Sequence, residues 1–277
     1  MVQALIQPAV STNFTGIKKH AKMDKRLYLK GWIIFFLFTF LVAGCNKEGD
    51  DLPQEFAELT FDEQAVMDRL PHGLLASGDP KAQECVDMIE QALDMSEFRA
   101  NLIVPDDATR SAKKASGGTW SWSFPYMGGT WTFYWTYEED ATRHYWTMEI
   151  QFGDGERYDY IRAWEMKDGS AGQLIYSFNW ILIYQGDYSE YEDLHWTYTW
   201  NLDSSGTYTF RWLYDADNED YEYFLDYQLV IYEDGSGTLD YYYLDGLVYH
   251  MEWDADGNGS WHYYFGDLEQ TGTWTAG

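Results

Sequence analysis

From residue 118 to the C-terminus, large aromatic and aliphatic side chains recur at every second position. Trp120, Trp122 and Phe124 alternate with threonine and serine, and later segments repeat the same two-residue period. Successive side chains of a β-strand point to opposite faces of the sheet, so this period predicts strands with one aromatic face and one polar face. The aromatic face must be covered, because each buried ring removes about 150–250 Å² from water.

Short sequences rich in glycine, aspartate and asparagine separate many of these segments. Asp168-Gly169, Asp234-Gly-Ser-Gly237 and Asp256-Gly-Asn-Gly259 are turn sequences typical of β-hairpins. Because hairpins join neighbouring antiparallel strands, residues 118–277 are predicted to form a mainly β domain. The expected architecture is an antiparallel meander of about twelve strands, curved into a barrel or half-barrel, with two packed sheets as the alternative.

A short helical segment is predicted before the sheet, over residues 60–101. Thr60 and Glu63 have the spacing of a capping box, and Asp79-Pro80 has the form of a helix start. The apolar stripe of this segment is expected to pack against the open side or end of the sheet. Residues 102–117 are polar and are predicted to be a linker.

The N-terminal region has the features of an export signal. The stretch Met23–Lys30 is basic, and Trp32–Val42 is an apolar run of 11 residues, which is too short for an ordinary membrane-spanning helix. The run ends in Val42-Ala-Gly-Cys45, and the acidic sequence 46–51 follows. This order of features resembles the signal peptide and lipobox of bacterial lipoproteins of the Bacteroidota type.

The resemblance implies that the chain is cut before Cys45, lipidated on the sulfur of that cysteine, and anchored in the outer membrane. The protein is then expected to be exposed on the outside of the cell. Residues 1–44 would then be an upstream extension plus a signal peptide, with Met1 or Met23 as the true start. Residues 45–59 would be the lipidated cysteine and an acidic tether. The expected membrane contact is the N-terminal lipid.

The charge of the chain excludes one class of partner. The sequence carries 18 basic and 46 acidic residues. Cleavage before Cys45 would remove six basic residues and one acidic residue, leaving 12 and 45 and a net charge of -33. Nucleic-acid binding depends on clusters of lysine and arginine, so no nucleic-acid partner is expected.

The surplus of tryptophan and tyrosine favours a cavity for an apolar or amphipathic small molecule, because these rings combine a flat apolar body with a polar tip. The alternative is that every ring is core. The candidate ligand-binding residues are Trp135, Trp180, Trp200, Trp212, Tyr227 and Trp253. Two other functions stay open: a glycan-binding module, with outward rings such as Tyr134, Tyr232, Tyr242 and Tyr264, or a structural or adhesive envelope protein without a small ligand.

Two groups of residues are candidate metal ligands. Asp254, Asp256 and Asn258 resemble the opening of a calcium loop, although Phe265 stands where a twelfth-position glutamate belongs. If Trp253 and Trp261 pair across a hairpin, Glu252 faces His262, with His250 diagonal to it on the same polar face. Two imidazoles and a carboxylate can hold zinc. The alternatives are an acidic turn and solvated histidines. Apart from possible calcium or zinc, no cofactor is expected.

Catalytic motifs are not found in the sequence. It contains no G-x-S-x-G elbow, phosphate-binding loop, H-E-x-x-H or C-x-x-C, and its many acidic residues do not single out a catalytic pair. An enzyme is therefore not expected.

Overall fold

The predicted meander is confirmed. The computed structural model describes residues 57–95, 102, 104–105, 108–114, 117–126, 129–178, 194–216, 223–244 and 246–277. These form one antiparallel sheet of 13 strands in sequence order, preceded by three helices. The strands are β1 Thr109–Lys114, β2 Gly117–Tyr126, β3 Gly129–Glu139, β4 Arg143–Phe152, β5 Arg157–Met166, β6 Ala171–Ser177, β7 Leu194–Leu202, β8 Tyr208–Ala216, β9 Tyr223–Ile231, β10 Gly237–Tyr243, β11 Gly246–Trp253, β12 Gly259–Phe265 and β13 Leu268–Trp274.

The sheet is open. Pairing runs from β1 to β13 without closing the two edges on each other within the described residues. Of the three architectures that the sequence left open, the closed barrel is therefore wrong for the described residues. The first strand was not expected, because β1 lies inside the predicted linker. Its sequence, Thr-Arg-Ser-Ala-Lys-Lys, has no apolar alternation, but its backbone pairs with β2 whatever its side chains are.

One face of the sheet, here called the inner face, carries aromatic side chains on every strand from β2 to β12. Residues in register on successive strands belong to the same face, and on the inner face they are nearly all large and apolar. One such row from β2 to β10 consists of Trp120, Trp135, Met148, Ile161, Tyr176, Trp196, Tyr214, Leu225 and Tyr243. The alternating period of the sequence thus produces a continuous apolar layer.

A β-bulge in β5 changes the phase of that period. The alternation of the sequence groups Tyr158, Tyr160, Arg162 and Trp164 on one face, and this grouping is wrong. The register with β4 shifts at this point, so that Tyr160 and Ile161 are both buried. After the bulge Ala163 faces inward, while Arg162 and Trp164 lie on the opposite, outer face.

The helices are α1 Glu63–Met67, α2 His72–Leu75 and α3 Pro80–Leu93. Asp79 caps α3 and Pro80 occupies its first turn, as predicted. The predicted capping box at Thr60 is wrong, since Asp62 caps α1 and accepts a hydrogen bond from the N–H of Ala65. The N–H of Thr60 instead donates to the buried carboxylate of Glu165 on β5.

Residues 57–77 cross one end of the sheet in the order of its strands. The indole of Trp146 on β4 donates to Ala57. The guanidinium of Arg69 donates to the carbonyl of Gly206, between β7 and β8, and the hydroxyl of Ser77 donates to the carbonyl of Thr275, after β13. This end of the sheet, here called the helix end, is therefore tied along its length by the segment before α3.

Helix α3 then covers the inner face. Lys81 at its start donates to the hydroxyl of Tyr249 and lies 4.4 Å above the ring of Trp261. The side chains on its covered stripe are completely or almost completely buried: Ala82, Cys85, Ile89, Ala92 and Leu93. Among the described residues, no helix combines the length and the apolar character that crossing a membrane requires.

Five successive hairpins at the helix end share one turn chemistry. In each, the carboxylate of an aspartate accepts at least one backbone N–H from two or more residues later, which reinforces the turn. These aspartates are Asp140, Asp168, Asp203, Asp234 and Asp254. The hydrogen bonds that each carboxylate accepts lower its pKa below the ordinary aspartate value.

Candidate functional site

Three of the candidate ligand-binding rings lie in the core of this structure. Trp135, Trp200 and Trp253 are between 0% and 4% exposed. Phe61 packs its ring 5.0 Å from that of Trp200, and the indole of Trp253 donates to the carbonyl of Gly235. These three rings are covered by neighbouring strands and by the segment before α3. Trp180 lies outside the described residues.

Trp212 and Tyr227 belong to a stack of four rings that crosses the inner face from β7 to β10. The centroid of Trp212 lies 6.0 Å from that of Tyr198 and 5.1 Å from that of Tyr227, and Tyr227 lies 4.5 Å from Tyr241. The rings are nearly parallel, so they cover one another's faces and present their edges. Burial raises the pKa of Tyr227 to about 12.

The candidate calcium loop is a closed acidic turn. The carboxylate of Asp254 accepts the backbone N–H groups of Asp256 and Asn258 and the side-chain amide of Asn258. The amide of Asn258, together with those backbone groups, lowers the pKa of Asp254. Asp256 is exposed beside it.

The pairing of Trp253 with Trp261, on which the zinc hypothesis was built, is wrong. Trp253 pairs with Gly259, and Met251 pairs with Trp261, because the turn takes five residues between Trp253 and Gly259. Glu252 therefore faces Ser260, whose hydroxyl it accepts. Within the described residues, no three His, Cys, Asp or Glu side chains are gathered around a point where a metal ion would lie.

The corrected register places His250 directly opposite His262 on the outer face. Nδ1 of His250 lies 2.7 Å from a carboxylate oxygen of Asp240 on β10. Nε2 of His262 lies 2.6 Å from a carboxylate oxygen of Glu269 on β13. Four successive strands thus contribute two imidazoles, each held by its own carboxylate.

A cavity of about 280 Å³ opens on the outer face, between β5, β6 and β7. Its lining mixes apolar and polar side chains from all three strands. The described lining residues are Asp159, Ile161, Arg162, Ile175, Ser177, His195 and Thr197.

Strand alternation and the bulge together build this cavity. Leu174 and Tyr176 point inward, so Ile175 and Ser177 point outward between them. Ser177 lies opposite His195 in the ladder with β7. The bulge in β5 turns Arg162 to the same face, where its guanidinium pairs with Asp159.

Ser177 has a buried hydroxyl without a hydrogen-bond partner among the described residues. The residue is 4% exposed, and its Oγ is completely shielded from solvent. A buried polar group without a partner costs about 1–3 kcal/mol. A group that enters the cavity would hydrogen-bond to this hydroxyl only after the atoms that shield it move aside.

Most of the residues that line the cavity could not be recognised from the sequence. His195, for example, is there an ordinary residue on the polar side of its strand. One local signal does exist: Leu174, Ile175 and Tyr176 are three apolar residues in a row, so Ile175 interrupts a polar face. The bulge that brings β5 to the cavity has no such signal.

Comparison of the chain with protein-family models, curated proteins and solved structures gives no match. The geometry of the site alone therefore carries the functional argument.

Proposed function

We propose that this protein is a lipid-anchored binding protein of the cell envelope, and that it holds a small amphipathic ligand in the cavity between β5, β6 and β7. The observation that carries the proposal is a space of about 280 Å³ lined in part by Ser177, whose buried hydroxyl has no hydrogen-bond partner among the described residues. A ligand group that hydrogen-bonds to this hydroxyl would offset the cost of its burial.

The lining indicates the chemistry of the ligand. Ile175 supplies apolar surface, while Ser177, His195 and Thr197 supply groups that donate or accept hydrogen bonds. Sites for drug-sized molecules usually enclose about 300–1,000 Å³. A cavity just below that range suits a smaller molecule, with an apolar body and one or two polar groups.

The decisive experiment fills the cavity. Ile175→Trp places an indole in the space, and Gln173→Trp is the matched control, because Gln173 is the next outward residue on the same strand and does not line the cavity. The full chain, purified from its host membrane, is extracted with organic solvent and the extract is analysed by mass spectrometry. We expect the wild type and Gln173→Trp to release one compound in stoichiometric amount, and Ile175→Trp to release none.

Ser177→Ala tests the hydrogen bond directly. It should weaken binding of the extracted compound about two- to tenfold, the range of one neutral hydrogen bond. If every variant releases the same compound in the same amount as the wild type, the cavity is not a ligand site. The same conclusion holds if no compound is found in the extract of the wild type or of any variant.

The anchoring part of the proposal depends on the lipobox resemblance at Val42–Cys45. Cys45→Ser should abolish incorporation of radiolabelled palmitate and shift the protein from the membrane fraction to the soluble fraction. Protease added to intact cells should degrade the wild type if it faces outward from the outer membrane. A Cys45→Ser chain that still incorporates palmitate would contradict this anchoring.

A structural or adhesive role without a small ligand is the second candidate, and the complete burial of Trp135 supports it, because this aromatic face is solid core. Glycan binding has less support. Of its outward rings, Tyr134 lies beneath the guanidinium of Arg157, and Tyr264 stacks 4.1 Å from the imidazole of His262. Tyr232 is 47% exposed. A glycan array with binding abolished by Tyr232→Ala would favour the glycan function.

A further inference from the structure

The outer face near the C-terminus carries a pair of histidines that is independent of the proposed ligand cavity. His250 on β11 and His262 on β12 are direct register partners. The Cβ atoms of such partners lie about 4.5–5.5 Å apart, so the two imidazoles can reach a common point above the sheet. Each side chain is about one-third exposed. Both rings are therefore accessible to an ion from solvent.

A carboxylate fixes the proton of each imidazole. An ionised carboxylate only accepts hydrogen bonds, so the ring nitrogen that contacts it carries the hydrogen. Asp240 contacts Nδ1 of His250, and Glu269 contacts Nε2 of His262. In the neutral rings, Nε2 of His250 and Nδ1 of His262 then keep their lone pairs. Histidines that bind metals typically have this carboxylate partner on the other ring nitrogen.

A third oxygen donor stands nearby. A carboxylate oxygen of Glu252 lies 3.9 Å from Nε2 of His250, the nitrogen with the lone pair. Asp240, Glu252 and Glu269 also surround the two rings with negative charge, which favours a cation.

We propose that His250 and His262 bind a divalent transition-metal ion of the zinc or copper class, with Glu252 as third ligand and water completing the shell. Two imidazoles and one carboxylate form a ligand set that zinc adopts in proteins. The side chains do not converge on one point as they stand, so binding turns them toward each other. The bound ion would link β11 to β12, and its binding free energy would stabilise the sheet.

The test is zinc binding by the full chain at pH 7.5, measured by isothermal titration calorimetry. We expect one strong site in the wild type. His250→Gln and His262→Gln should each weaken that site at least about tenfold, and Asp240→Asn should weaken it about tenfold, as loss of a carboxylate partner does. His72→Gln is the control: His72 lies on α2 and belongs to neither β11 nor β12, so its loss should leave binding unchanged.

A second readout separates a histidine site from ions held loosely by the acidic surface. Cobalt replaces zinc at such sites, and imidazole ligation should give it visible absorption bands that disappear in the His250→Gln/His262→Gln double variant. Circular dichroism establishes that each variant is folded. If His250→Gln fails to fold, His262→Gln on the neighbouring strand carries the test. Equal zinc affinity in the folded wild type and histidine variants, or no uptake at all, would overturn the proposal.

Discussion

The indole of Trp200 lies across Gly172 on the neighbouring strand, so closely that a Cβ at position 172 would stand 2.1 Å from Cζ2 of the ring. Trp274 lies across Gly259 in the same way on β12 and β13. Glycine is required at these positions because the facing indole occupies the space of a side chain. At these two positions the aromatic face packs tightly because the opposing strand provides a glycine.

Gly172→Ala should destabilise the protein by about 1–3 kcal/mol, because the buried ring of Trp200 must move to admit the methyl group. The measurement is the midpoint of urea unfolding followed by tryptophan fluorescence. Gly78→Ala is the control, since its new Cβ would meet nothing within 4 Å. Equal unfolding midpoints for the two variants would show that the Trp200 ring can move without loss of stability.

Arg211→Met should destabilise the protein by about 1–3 kcal/mol. Asp226 is buried on β9 and is held by two hydrogen bonds of 2.8 Å from the Arg211 guanidinium. Removing one partner leaves a buried carboxylate without its counter-charge, although the half-exposed arginine moderates the cost. The same urea titration measures the change.

Two further variants make this prediction specific. Arg157→Met removes an exposed pair with Glu149 and the contact of its guanidinium with the ring of Tyr134, and should cost about 1 kcal/mol. Adding Asp226→Leu to Arg211→Met should restore part of the lost stability, since no buried charge remains. The prediction fails if the double variant is as unstable as the sum of the two single variants.

Stability should fall as the pH is lowered below about 4, through the aspartates of the five turns. The Ser236 side chain and its backbone N–H donate to Asp234 and lower its pKa. A lowered pKa in the folded state contributes stability that is present above the ordinary aspartate pKa of about 3.9 and is lost as the pH falls through the folded value.

Asp234→Asn isolates this contribution. The asparagine oxygen can still accept from the N–H of Ser236, but it does not titrate, so its turn should lose no stability between pH 5 and pH 2, a range set by ordinary carboxyl titration. Thermal unfolding at several pH values measures the difference from the wild type. If the stability of Asp234→Asn falls with pH as much as that of the wild type does, this turn contributes nothing to the loss of stability in acid.

Cys85 should resist alkylation in the folded protein. Its thiol is completely buried in α3, and burial raises its pKa to about 12. The reactive form is the thiolate, so iodoacetamide at pH 8 should label Cys85 only in denaturant. Peptide mass spectrometry locates the label. Rapid labelling of Cys85 under native conditions would mean that α3 opens from the sheet.

The sequence by itself determined the antiparallel meander from β2 onward, although not β1. The alternating rings and the turns with aspartate and glycine are local signals, because a two-residue period and a hairpin turn each depend on residues close in the chain. Asp79 and Pro80 specify the start of α3 in the same local way. These features required no knowledge of distant contacts.

The tertiary structure alone decided the features that depend on partners distant in the chain. Glu165, 105 residues away, accepts the N–H of Thr60, which the predicted capping box assigns to Glu63. The bulge beside Ile161 and the five-residue turn after Trp253 reset which residues face each other, and with them the cavity and the histidine pair. Strand register is a sum of small cross-strand energies, so a one- or two-residue shift leaves the local pattern intact while it changes every contact of a site.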